Sequence, residues 1–197
     1  MIKEARWLSW VETHGGIVTT KQARDLGLSR ALLSQWAKKG KIIRLAQGQY
    51  ALPNEIPDEM FALSARSSHY VLSHETALWL HGISDRPPYR HSVTTATGNA
   101  PSIPIRKKCK VYYVKAEYLD LGKTTLLTPQ GNPVSSYDLE RTLCDCFRSK
   151  AKMGDETVLY ALKAYAARSD KNLNRLYDYA KKLRVSKAVR QYLEILL

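Results

Sequence analysis

The chain has 197 residues, 44% of them hydrophobic and 25% charged, with a formal net charge of +13. That apolar content suffices for a core in one or two domains, and no run approaches the ~18 apolar residues of a membrane-spanning helix, so no membrane partner is expected. The charge does not set the fold, but it predicts attraction to phosphate backbones or other anionic surfaces. The opening residues lack the apolar stretch of a signal peptide. Three cysteines, Cys109, Cys144 and Cys146, are an odd number, which fits a reducing cytoplasm.

Residues 2–14 read as a helix. Ile2, Ala5, Leu8 and Glu12 form one stripe, Trp7, Trp10 and Val11 widen the apolar face, and Gly15-Gly16 stops it. Ile17-Val18 suits a short strand. The stretch from Thr19 to Leu52 reads as a helix-turn-helix followed by a β-hairpin wing. A first helix runs from Thr19 to Leu26, with Thr19 or Thr20 as its cap and Ala23 small enough for a second helix to cross closely. Gly27 supplies the turn. Ser29 caps a second helix from Arg30 to about Lys39, which Gly40 ends. Leu26, Leu28, Leu33 and Trp36 face inward. Ser29, Arg30, Ser34, Gln35 and Lys38 share an outer face without an acid, and such side chains read base edges or hold phosphates. Two apolar runs, residues 41–45 and 49–52, flank Ala46-Gln47-Gly48 and read as a hairpin. A helix, a glycine turn and a second helix also occur as a purely structural hairpin. The basic second helix and the wing favour DNA binding, with Thr20, Lys21, Ser29, Arg30, Ser34, Gln35, Lys38, Lys39, Lys41, Arg44, Gln47 and Gln49 as the contact residues.

Pro53 and Pro57 mark a linker, so a winged helix-turn-helix domain over residues 1–57 and a second domain over residues 58–197 are expected. The first carries +5 and the second +8. Asp58 caps a short helix to Ala65. Ser73 starts and Gly82 stops another. Residues 91–97 read as a strand, 99–104 as a loop, 105–107 and 111–114 as strands, and 126–128 and 132–136 as strands around a turn at Pro129-Gln130-Gly131. Helices follow from Ser136, with Leu139, Leu143, Cys146 and Phe147 inward, then over 155–168, 171–183 and 186–196. The fold class is therefore α+β: an N-terminal winged helix-turn-helix domain, then a larger mixed α/β domain with a C-terminal helical part. Residues 148–190 hold twelve Lys or Arg against four acids. That run is either a solvated face or a second basic surface, with Arg86, Arg90, Arg148, Lys150, Lys181, Lys182 and Arg184 as its candidates.

Catalytic chemistry finds little support. His69, His74, His81 and His91 lack the paired spacing of a zinc site, and His74-Glu75 has no second histidine three residues on. Cys144 and Cys146 fall on different helix faces, and Asp138 and Asp145 nearby raise thiol pKa values rather than lower them. Gly122-Lys123-Thr124 lacks the upstream glycine of a phosphate loop and reads as a turn. Asp138 and Glu140, or Asp155 and Glu156, are spaced for helix ends rather than for a shared metal ion. No metal, cofactor or enzymatic activity is expected; the alternative is a nucleic-acid-processing enzyme built on the basic second domain.

Three segments resemble one family. The winged helix, GGIVTTKQARDLGLSRALLSQWAKKGKIIRLAQGQYAL, is joined by YVLSHETALWLHGISD and VSSYDLERTLCDCF. Together they resemble the AbiEi antitoxins of abortive-infection systems, a type IV toxin–antitoxin class, over about residues 1–190. The resemblance implies a bacterial cytoplasmic protein with two tasks. One is repression of its own operon on double-stranded operator DNA carrying inverted repeats. The other is neutralisation of a nucleotidyltransferase-like toxin without a stable complex. It places Arg30, Ser34, Gln35 and Lys38 in the major groove and Arg44, Gln47 and Gln49 on the wing. Glu140, Arg141 and Asp145 match the family pattern and read first as a structural ion-pair network. No heptad or long exposed apolar stripe argues for self-association. A monomer is expected, with cooperative occupancy of two repeats through DNA bending.

Overall fold

The computed structural model describes residues 2–13, 16–54 and 56–196. They divide into two compact units, Met1–Ser67 with Leu127–Val134, and Ser68–Leu126 with Ser135–Leu197. The architecture is α+β, as the sequence pattern predicts.

The first unit opens with α1 (Ile2–Thr13). Trp7 and Val11 are buried, whereas Leu8 is exposed, which corrects its place on the apolar stripe. Ile2, Ala5 and Glu12 lie outside the described side chains, and Gly15 outside the described residues. Strand β1 (Ile17–Thr19) leads into α2 (Thr20–Asp25) and α3 (Arg30–Lys38). Thr19 and Gln22 form a reciprocal cap on α2, threonine side chain to backbone amide and glutamine side chain to the Thr19 N–H at 2.8 Å. Gly27 then takes φ +79°, and the Leu28 N–H returns to the Ala23 carbonyl at 2.9 Å, so the chain reverses within two residues. Ser29 Oγ accepts from the Leu32 N–H at 3.2 Å and starts α3. Strands β2 (Ile43–Ala46) and β3 (Gln49–Ala51) are the wing, and β1 completes a three-stranded antiparallel sheet in the order β1-β3-β2. Trp7, Val11, Val18, Ala23, Leu28, Leu33, Trp36, Ile42 and Tyr50 form one core, with Trp7 edge-on to Trp36 at 5.8 Å. Each tryptophan removes on the order of 200 Å² from water, about 5 kcal/mol as an upper bound. Helix α4 (Glu59–Ser64) is capped by Asp58, which accepts from the Phe61 N–H at 2.9 Å.

A five-stranded sheet in the order β6-β5-β4-β8-β7 carries most of its residues in the second unit. Its strands are β4 (Val71–Leu72), β5 (Ser92–Ala96), β6 (Lys110–Val114), β7 (Lys123–Leu127) and β8 (Pro133–Tyr137). β4 pairs antiparallel with β5 and parallel with β8, and β5 pairs parallel with β6. Parallel neighbours need a crossover, and here it contains α6 (Ile103–Lys108). Residues 105–107 are therefore helical, not a strand. Pro104 sits in the first helical turn, where its missing N–H costs nothing. Helix α5 (His74–Leu80) follows β4. The remaining helices are α7 (Leu139–Arg148), α8 (Lys150–Met153), α9 (Asp155–Ala166), α10 (Leu173–Lys182) and α11 (Ser186–Leu196). Ser136 and Tyr137 end β8 rather than opening a helix. Asp138 is the cap of α7, accepting from the Arg141 N–H at 2.8 Å. The core runs through Leu78, Leu143, Cys144, Leu162, Tyr165, Leu176 and Val189.

Candidate nucleic-acid interface

Helix α3 buries Leu33 and Trp36 and turns Ser29, Arg30, Ser34, Gln35 and Lys38 to solvent. This follows from a period of 3.6: residues 30, 34 and 38 stack along one line, and 33 and 36 fall opposite. Lys39 and Lys41 are exposed just past its end, and Arg44 and Gln47 are exposed on the wing. The wing tip is tied to α2. The Thr20 N–H donates to the Gly48 carbonyl at 2.8 Å, and Thr20 Oγ1 donates to the same oxygen at 3.2 Å. Thr20 is thus half-buried and acts on the interface through the wing it holds. Lys21 is exposed beside it. Thr20, Lys21, Leu28, Ser29 and Arg30, together with Arg24, line a concavity of about 480 Å³. The sequence pattern does not single out Arg24. It lies three residues after Lys21 on α2, and that spacing is the available signal.

One expected contact is corrected. Gln49 is 2% exposed, and its Nε2 donates to the Ala62 carbonyl at 2.7 Å. On β3 it points to the face opposite the core residue Tyr50, and there it joins the wing to α4 instead of meeting a ligand.

The basic residues proposed for a second surface do not gather in one place. Arg86 is exposed. Arg90 is occupied by the end of α6: its guanidinium donates to the carbonyls of Arg106, Lys107, Lys108 and Cys109 at 2.8–3.4 Å. Lys150 donates to Tyr192 Oη at 2.6 Å and lies 3.3 Å from Asp155. Lys181 is exposed. Arg148, Lys182 and Arg184 line one cavity together with Lys115.

Helix α7 carries the polar interior of the second unit. Arg141 is fully buried. Its Nε donates to Asp145 Oδ2 at 3.0 Å, and its Nη1 to the Tyr118 and Leu121 carbonyls at 2.7 and 2.6 Å. Its guanidinium lies 4.2 Å over the Tyr137 ring. Glu140 accepts from Tyr165 Oη at 3.2 Å and from the Asn172 N–H at 2.9 Å. Burial pushes the Cys144 thiol up to about 12, reinforced by Asp145, so no thiolate nucleophile forms near neutral pH. His74 stacks on Tyr112 at 3.5 Å, and its two ring nitrogens lie 3.0 Å from Ser73 Oγ and Ser149 Oγ. Burial, aided by Arg141, Arg148, Lys152 and Lys110, holds its pKa well below 6.5.

The comparison with known families concerns the interface on α3. Residues 6–53 match the family model described as "Transcriptional regulator, AbiEi antitoxin". The match takes in α1, the helix-turn-helix and the wing, and it supports an antitoxin-type regulatory role. No curated protein matches the chain. Among solved structures, the crystal structure of the RV2827C protein from Mycobacterium tuberculosis is similar, with a TM-score of 0.60 and 18% identity. The similarity covers 92% of this chain and 72% of that one. At that identity the likeness is one of fold. No described helix is long and apolar enough to cross a membrane.

Proposed function

We propose that the protein is the antitoxin of a type IV abortive-infection system, acting in the cytoplasm in phage defence, and a repressor of its own operon. The observation that carries this reading is the acid-free outer face of α3, set beside an exposed basic wing within the segment that matches the AbiEi regulators. Arg30, Ser34, Gln35 and Lys38 read the major groove of operator DNA carrying inverted repeats. Lys21, Ser29, Lys39, Lys41, Arg44 and Gln47 hold phosphates. The toxin counteracted is nucleotidyltransferase-like and forms no stable complex, and the repressor is a monomer that occupies two repeats cooperatively. No catalytic step is assigned. Of the two carboxylate pairs that the sequence offers, Asp138 accepts from the Arg141 N–H and Tyr179 Oη and Glu140 from Tyr165 and Asn172, while Asp155 lies 3.3 Å from Lys150 at the start of α9.

Titration of labelled upstream DNA over a range of salt tests the DNA reading. Wild-type affinity falls steeply with salt. Arg30→Ala and Lys38→Ala each lower affinity and, for every phosphate no longer neutralised, reduce the slope of log K against log salt by about 0.9. Wild-type binding by a Lys38→Ala, Arg44→Ala double variant would overturn the assignment. Co-expression with a neighbouring nucleotidyltransferase gene tests the antitoxin reading: growth is restored, and the two proteins do not co-purify.

A further inference from the structure

Four basic side chains of the second unit converge on one cavity of about 150 Å³, lined by Lys115, Tyr118, Arg148, Lys182, Leu183 and Arg184. No carboxylate is among these lining residues. The cations come from three places: Lys115 follows β6, Arg148 closes α7, and Lys182 and Arg184 lie at the end of α10. Two of those places are helix C-termini, which attract cations on their own account. Each presents roughly half a negative charge, so the two ends together ask for about one cation, not four. Local pairing leaves the surplus in place. Lys115 Nζ lies 3.8 Å from Glu117, but both groups are largely exposed, and such pairs are weak. Arg148 Nη1 lies 3.4 Å from Asp145, yet that carboxylate is already matched at 3.0 Å by buried Arg141.

Arg184 supplies the second observation. Helices α2, α3 and α5 end with Gly27, Gly40 and Gly82 at φ +79°, +69° and +68°, each followed by an amide that returns to the helix. Helix α10 ends in the same way, the Val185 N–H donating to the Ala180 carbonyl at 2.8 Å, but its left-handed residue is Arg184, at φ +60°. A side chain in that conformation crowds the backbone, and glycine avoids the cost. An arginine kept there, with its side chain lining a cavity among three other cations, points to a use for the guanidinium.

We propose that this cavity binds the phosphate group of a small phosphomonoester. The four cations line one cavity, and its volume admits a tetrahedral oxyanion. A surface that tracks a nucleic-acid backbone would instead spread them along a stripe. Arginine and lysine together suit a dianion, arginine by paired N–H donors and lysine as a point charge. Arg148 also lines a neighbouring cavity of about 220 Å³ with His74, Tyr112, Tyr113, Ser149, Lys152 and the carboxylate of Asp145, which buried Arg141 pairs. Its exposed Tyr113 ring offers a seat for a group attached to the phosphate, such as a nucleoside.

The test uses the full chain, with inorganic phosphate and adenosine monophosphate as probes at constant ionic strength. Thermal unfolding and calorimetric titration are the readouts. Both probes raise the melting temperature of the wild type. Arg184→Gly melts higher than the wild type without ligand, because the strain is gone, and its affinity drops at least tenfold. Lys182→Gln, at an exposed site, weakens binding without the gain in stability. Tighter binding of adenosine monophosphate than of phosphate supports the proposal and assigns the nucleoside to the second cavity. Equal binding supports it for the phosphate alone. The proposal is overturned if neither probe binds, or if Arg184→Gly responds to them as the wild type does. It also falls if Arg184→Gly weakens only the binding of duplex DNA, since the cluster is then a backbone contact.

Discussion

Gly122 and Gly131 both hold left-handed backbone, at φ +73° and +82°, yet they stand in different surroundings. A Cβ on Gly131 would meet nothing within 4 Å. On Gly122 it would lie 2.6 Å from Arg141 Cβ and 3.2 Å from Asp138 Oδ1. Arg141 cannot withdraw, because its guanidinium is fixed by Asp145 and two carbonyls. Gly131→Ala is therefore expected to cost only the left-handed penalty, about 1–2 kcal/mol. Gly122→Ala adds an overpacking cost of about 1–3 kcal/mol. Urea unfolding of the two variants measures the difference, and equal destabilisation would remove the steric explanation. The sequence marks Gly122 as a turn but not as a cradle for Arg141, since the contact spans residues far apart in the chain. The same holds along α7. The pattern E-R-x-x-x-D suggests an ion-pair network, but nothing local says that it is buried. Its partners, the Tyr118 and Leu121 carbonyls and Tyr165 Oη, come from other elements.

At the scale of elements, α5 begins under strain. His74 is left-handed at φ +48° and is enclosed by Tyr112, Ser73 and Ser149. Burial also lowers His81, whose Nε2–H donates to the Tyr137 carbonyl at 2.8 Å. Both histidines take up a proton less readily in the fold than in the unfolded chain, which binds one near pH 6.5, so the unfolded chain holds more protons as pH falls through that value. Their contribution to stability is complete above about pH 7.5 and falls as pH drops through 6.5. Asp138 and Asp145, raised by burial, act in the opposite direction, so a variant is needed to isolate the histidine. His74→Asn keeps a residue that tolerates left-handed backbone and removes the titration. Melting temperatures between pH 7.5 and 5.5 are expected to fall less for the variant than for the wild type, and parallel curves would sink this account. The helices and most strands are legible because their periods and caps are local: Thr19, Ser29 and Asp58 cap where their types predict. Helix α6 is not, because its segment is short and its crossover role depends on the parallel pairing of β5 with β6.

On the scale of the whole molecule, the first unit is not one continuous stretch. Two prolines at 53 and 57 suggest an end there, but the compact unit continues to Ser67 and includes Leu127–Val134. Asp58 holds the two parts together. One oxygen caps α4 through the Phe61 N–H; the other accepts from Thr128 Oγ1 at 2.5 Å and Asn132 Nδ2 at 2.9 Å. All three side chains are buried, with Asp58 1% exposed. Seventy residues separate Asp58 from Thr128, so only the helix cap is visible in the sequence. Asp58→Ala removes the cap, worth about 1 kcal/mol, and leaves the hydroxyl and amide of its two partners buried with bonds unmade, about 1–3 kcal/mol each. Destabilisation by several kcal/mol is expected in urea unfolding. Thr128→Val with Asn132→Leu, which removes the polar partners but keeps Asp58 as the cap, strands a buried carboxylate and is expected to cost as much. The network also bears on how DNA binding is assayed. A fragment ending at residue 57 lacks Asp58, α4 and the carbonyl of Ala62 that holds Gln49, and it is expected to melt below the intact chain. Weaker operator binding by such a fragment therefore has two sources, a less stable wing and the removal of the +8 carried by residues 58–197. Asp58→Ala in the full chain separates them. If the variant binds operator like the wild type at a temperature where it stays folded, the fragment's deficit comes from the missing charge; if it binds like the fragment, the wing's support is the cause.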